Sequence, residues 1–189
     1  YGDLRFEGEA PLPLAARNPE GVLYMGSFSK VLAPGLRLGF VVAPKSVYGK
    51  LVQAKQAADL HTPSFNQRVV AEVMKDGFLD RHIPTIRTLY KNQRDAMLAA
   101  LDQEMVGLGV SWTRPVGGMF LWVQLPEGMD AQKLLPLAVE RGMAFVPGAP
   151  FFPGNPQHNC LRLSYVTVPP AQIAQGIAAL AAAIKAYAQ

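Results

Sequence analysis

Cysteine is nearly absent: the 189 residues contain one, Cys160. A lone thiol excludes an internal disulfide framework and fits a reducing compartment. No apolar run is long enough to span a bilayer, since the greasiest stretch, "IAALAAAIKAYA", is short and interrupted by a lysine. No membrane partner is therefore expected. The first thirty residues mix acids, bases and prolines without the apolar segment of a signal peptide, so a cytoplasmic location is expected. Runs of Lys or Arg are missing too. The net charge of +4 is spread among acids, and no nucleic-acid partner is expected. His61, His82 and His158 lack ligand spacing and no Cys/His cluster exists, so no metal is expected. There is no G-x-G-x-x-G opening a helix; Gly117 and Gly118 read as turn chemistry.

What is present is globular. Half of the residues are hydrophobic and 17% are charged. The chain enters at Tyr1 in "YGDLRFEGEAPL", without Met, on what reads as a strand end and loop; it is expected to be the later part of a longer protein. Two buried strands are predicted, over Val22–Met25 and within "RLGFVVAP". Ser46 is the expected cap of a helix to about Ala58, and Ser64 of another to about Lys75. A long helix from Phe78 to about Met105 carries a stripe of Ile83, Ile86, Tyr90, Met97 and Leu101, with Pro84 marking a kink or the first turn. "VSWT" and "GMFLWVQL" predict strands around "PVGG". Asp130 opens a helix ended by Gly142. "MAFV" and "CLRLSYV" predict short strands, and Pro169 and Pro170 open a last helix with Ile173, Ile177, Leu180 and Ile184 on one stripe. Trp112 and Trp122 read as core residues. The fold class is mixed α/β, with three parts expected: residues 1–77, a linking helix over 78–105, and a small α/β domain over 106–189.

Chemistry concentrates in "GSFSKVLAPGLRLGF", residues 26–40. Here a strand runs into Ser27, Ser29 and Lys30, and Arg37 enters the next strand. Two hydroxyls and a planar guanidinium suit a phosphate. A phosphate between them would also relieve the repulsion of Lys30 by Arg37. Desolvation and a neighbouring cation lower a lysine's pKa, which leaves a nucleophilic amine fit for Schiff-base chemistry. A phosphorylated aldehyde such as pyridoxal phosphate satisfies every member of the cluster. In "CLRLSYV", strand alternation puts Leu161, Leu163 and Tyr165 on one face and Arg162 with Ser164 on the other. An arginine in such a strand calls for a carboxylate. Phe151 and Phe152 either line a substrate pocket or pack their own loop.

The segment "SFSKVLAPGLRLGF" resembles the cofactor-lysine segment of the class I/II aminotransferases of fold type I, closest to the 2-aminoadipate, kynurenine and broad-range subgroup. "YGDLRF", "PVGGMFLWVQLP", "FVPGAPFF" and "CLRLSYV" follow the family's order and separations. The resemblance implies the later part of the large domain plus the small C-terminal domain, and a pyridoxal 5'-phosphate enzyme moving an amino group from an L-amino acid to a 2-oxo acid, 2-oxoglutarate being the expected acceptor. It implies Lys30 as the Schiff-base lysine, Ser27, Ser29 and Arg37 as phosphate ligands, Tyr1 as partner of the cofactor's ring hydroxyl, and Arg162 as the ligand of the substrate α-carboxylate. It also implies a homodimer with composite sites. Departures are visible. The family's aspartate for the pyridine nitrogen would precede Tyr1, so the given residues should not complete a site. Near "HTPSFNQ", where aspartate aminotransferases carry a second-carboxylate arginine, only Ala57 and Ala58 stand. There are two alternatives: the effector domain of a winged-helix transcription regulator, which shares the lysine segment, and a β-lyase, which keeps the cofactor but changes the reaction.

Overall fold

The structure, a computed structural model, describes residues 2–187. It divides into two compact units, Tyr1–Ile86 and Arg87–Gln189. The first contains α1 (Leu14–Arg17), β1 (Tyr24–Ser27), β2 (Gly39–Val42), α2 (Lys45–Asp59), α3 (Ser64–Val73) and the start of α4 (Phe78–Glu104). β1 and β2 form an antiparallel ribbon in which Tyr24 faces Val42 and Ser27 faces Gly39. Both strands were expected from their apolar runs, but the expected burial is not found. Met25 is 74% exposed and Val42 60%. The cause is the size of the sheet: among the described residues the two strands pair with no others, so an apolar run there has little to pack against.

Helix entry also differs from expectation. α2 is entered through Pro44 and α3 through Pro63, each extended in ψ, and neither helix has a side-chain cap. Ser46 and Ser64 lie inside their helices rather than ahead of them. The proline fixes φ and leads the chain in, so no hydroxyl is needed at that corner. α3 stops at Val73, and the left-handed residues Asp76 (φ 56°) and Gly77 (φ 68°) separate it from α4. Pro84 sits inside α4, beyond its first turn.

The second unit follows α4 with β3 (Ser111–Trp112), β4 (Phe120–Gln124), α5 (Ala131–Val139), β5 (Val146–Pro147), β6 (Cys160–Ser164) and α6 (Pro170–Tyr187). Its four strands are antiparallel in the order β3-β4-β6-β5. Alternation holds as expected: Leu121, Val123, Leu161, Leu163 and Tyr165 are buried, while Phe120, Trp122, Arg162 and Ser164 on the other face are only partly covered. Trp122 is therefore not a core residue, and neither is Trp112, because each is only partly buried. Met97 and Leu101 of α4 and the α6 stripe of Ile173, Ile177, Leu180 and Ile184 complete the core. Of the expected α4 stripe, Ile83, Ile86 and Tyr90 are only half-buried.

Polar ties fix the connections. The Asp130 carboxylate accepts from the Gln132 and Lys133 amides at 2.8 and 3.4 Å, capping α5 as expected. Gln93 donates to the Val168 carbonyl at 2.8 Å, and Arg94 to that of Pro115 at 2.6 Å. The Tyr165 hydroxyl donates to the Gly117 carbonyl at 3.2 Å and holds the "PVGG" turn against β6. Burial pushes the Tyr165 phenol up to about 12, against a smaller opposing pull from Arg94. Among the described residues no helix is long and apolar enough to cross a membrane, and no His/Cys/Asp/Glu group could hold a metal.

Candidate functional site

Two clusters were singled out by sequence, one in each unit. In the first, β1 delivers Ser27 to a tight turn over residues 28–33. The Leu32 and Ala33 amides close that turn onto the Phe28 carbonyl at 2.9 and 3.1 Å. Ser27 Oγ is its hub: it accepts from the Ser29 amide at 3.1 Å and donates to Ser29 Oγ at 3.0 Å. The two hydroxyls therefore stand side by side, as the phosphate reading requires. Lys30 follows at once and is exposed.

A second turn, Pro34–Leu36, then brings the chain to Arg37, which has a left-handed backbone (φ 53°, ψ 41°) and donates to the Pro34 carbonyl at 3.1 Å. Asn66 of α3 anchors this turn by donating to the Leu36 carbonyl at 3.0 Å. Asn66 carries no signal of this role in the sequence, because its partner lies thirty residues earlier. Gly26 and Gly39 have visible causes. A side chain at Gly26 would fall inside the Phe40 ring, and one at Gly39 would meet the Gly26 carbonyl at 2.8 Å.

No acid occurs between residues 26 and 40. Among the described residues neither Lys30 nor Arg37 has a carboxylate partner. Two adjacent hydroxyls, an exposed amine and a guanidinium uncommitted to any acid fit a phosphate ester that also carries an aldehyde. Tyr1, the expected partner of the cofactor's ring hydroxyl, lies outside the described residues.

In the second unit Arg162 sits mid-strand on β6, between Trp122 of β4 and Val146 of β5 in register. Its guanidinium lies 4.0 Å from the centre of the Phe120 ring and 4.9 Å from that of Phe151. Trp122 braces the second ring, meeting Phe151 edge-on at 5.7 Å and Phe152 at 6.1 Å. Phe151 and Phe152 thus pack on Trp122, and Phe151 keeps 49% of its surface exposed.

The loop reaches this position through Gly148. Its amide donates to the Cys160 carbonyl at 2.7 Å, and a Cβ there would lie 2.7 Å from that of Cys160. Only glycine lets the backbone approach β6 so closely. Nothing local in "PGAPFF" signals this contact, because its partner stands on another element.

The chain is similar to known proteins along nearly all of its own length. The family model described as aminotransferase class I and II matches residues 1–180. The chain belongs to that family. It is 50% identical to the 2-aminoadipate transaminase of Thermus thermophilus over 98% of its own length and 47% of the relative's. It is 47% identical to aromatic-amino-acid aminotransferase 1 of Thermococcus litoralis, over 98% and 44%. Among solved structures, the α-aminoadipate aminotransferase LysN of Thermus thermophilus, complexed with N-(5'-phosphopyridoxyl)-L-leucine, superposes with a TM-score of 0.90 at 49% identity, over 98% of this chain and 48% of that one. The mixed α/β architecture is thus that of the fold type I aminotransferases, as expected. The chain spans about half the length of the curated relatives it matches.

Proposed function

We propose that the protein to which this chain belongs is a pyridoxal 5'-phosphate-dependent aminotransferase, moving an amino group from an L-amino acid to a 2-oxo acid, with 2-oxoglutarate as acceptor. The observation that carries this reading is the donor set of the Ser27–Arg37 turn, acid-free and with its hydroxyls 3.0 Å apart, in a chain of this family. The winged-helix regulator and the β-lyase have less behind them, since the relatives above are named transaminases.

When bound, the cofactor supplies an aldehyde for the amino group and a ring that draws electrons from the substrate α-carbon. Ser27, Ser29 and Arg37 hold its phosphate, and Tyr1 bonds its ring hydroxyl. Lys30 Nζ would hold the aldehyde and, as a free amine beside the substrate, would accept the α-proton and later return a proton, base first and acid second. Arg162 binds the α-carboxylate and so orients the bond to be broken. We further propose that residues 1–77 belong to the large domain, 78–105 to a linking helix and 106–189 to the small domain. The protein acts as a cytoplasmic homodimer.

Product analysis on the full-length holoenzyme tests the reaction. New amino acid should form only when a 2-oxo acid acceptor is supplied, and Lys30→Ala should abolish it. Pyruvate and ammonia released without any acceptor would overturn the transaminase reading in favour of elimination.

A further inference from the structure

We propose that Phe120 and Phe151 are positioning residues that hold the Arg162 guanidinium by its attraction to their rings and leave its N–H groups for a carboxylate. The inference rests on the reading of Arg162 as the carboxylate ligand. An arginine is commonly fixed by an acid or by carbonyls, and either would occupy the donors a ligand needs. Among the described residues of its unit Arg162 has neither kind of partner, while two aromatic rings lie within cation–π reach of its central carbon. Such rings attract the cation without accepting its hydrogen bonds in the plane. They also cover part of it from water, which strengthens a later ion pair.

The rings are themselves fixed. Phe120 stands on β4 opposite Ser164, two pairs from the Trp122–Arg162 pair and so on the same face, which lets the pleat set its place. Phe151 hangs on a short turn whose amide donates to the Gly148 carbonyl at 2.9 Å, with Gly148 pinned to Cys160 and Trp122 edge-on to the ring. This chain of contacts runs from the buried strand β6 through the loop and back to the guanidinium. It gives Trp122, Gly148 and Phe151 one shared task.

The test uses the full-length holoenzyme and an unreactive pair of probes, 3-phenylpropionate and its amide, with binding measured by calorimetry and KM for amino acid and 2-oxo acid measured alongside. Phe120→Leu keeps apolar volume but removes the ring. Its Kd for the carboxylate should rise about three- to thirty-fold, the range of one cation–π contact. Both KM values should rise by a similar factor, with a smaller change in kcat and little change for the amide. Phe151→Leu should show the same pattern more weakly, because its ring is farther from the guanidinium. Phe151→Tyr, which keeps a ring, should restore binding. If Phe120→Leu does not fold, the Phe151 pair decides alone.

Leucine variants that bind the carboxylate as tightly as the parent, while Arg162→Gln does not, would overturn the clamp and leave the arginine's assignment standing. Equal losses for carboxylate and amide would overturn it as well, since the rings would then be touching the probe. Carboxylate binding untouched by Arg162→Gln would overturn both the clamp and the assignment beneath it.

Discussion

β2 reads "GFVV" and β4 reads "FLWVQ", two apolar runs of the same kind, yet every residue of β2 is exposed while Leu121 and Val123 of β4 are fully buried. The difference is in the neighbours. β4 has β3 on one side and β6 on the other, in a unit whose sheet has a buried face, whereas among the described residues β2 pairs only with β1. Burial is a property of what covers a strand, and the run itself cannot tell. The chemistry divides along the same line. The first unit offers its amine and hydroxyls on an exposed turn, and the second supports its guanidinium on a strand backed by a core.

Truncations should expose this contrast. Leu163→Ala opens a hole behind β6 and should cost about 2–5 kcal/mol; Val41 is 52% exposed within this chain, so Val41→Ala should cost no more than about 0.5 kcal/mol where nothing beyond these residues covers the ribbon. Urea unfolding of the full-length protein monitored by circular dichroism compares them, and equal costs would mean that the ribbon is covered by residues outside this chain.

A smaller effect comes from pH. The Tyr165 phenol is raised to about 12 in the folded state, against an ordinary value of 10. The folded protein therefore holds this proton more tightly than the unfolded chain. The stabilisation is complete below about pH 10 and is lost as pH rises through about 12, a loss on the order of 2 kcal/mol. Melting curves from pH 8 to 12 should show it, and Tyr165→Phe should flatten that part of the profile. An unchanged alkaline slope in the variant would mean that other groups control it.

How much of this was legible in the sequence follows the range of the interactions. Asp130 as a cap, the α6 stripe and the two faces of β6 were legible because each depends on residues within a turn or two of one another. Ser46 and Ser64 misled because a preceding proline had already turned the chain. The grouping of Phe120, Trp122 and Phe151 around Arg162 could not be read, since it depends on register between β4 and β6, forty residues apart at Trp122 and Arg162. For the same reason Asn66 and Gly148 gave no signal, each being defined by a distant backbone carbonyl. The Lys30 turn stands out in the sequence for the opposite reason: its serines, lysine and arginine fall within eleven residues, so the proposal of a phosphorylated aldehyde there rests on local chemistry alone.

The central claim is that the Lys30 amine binds the aldehyde of pyridoxal phosphate. Borohydride reduction of the full-length holoenzyme, followed by proteolysis and mass mapping, tests it most directly. The account predicts a reduced phosphopyridoxyl adduct on the peptide containing Lys30 and none after Lys30→Ala. An adduct on another lysine, or one that persists in the alanine variant, would contradict it.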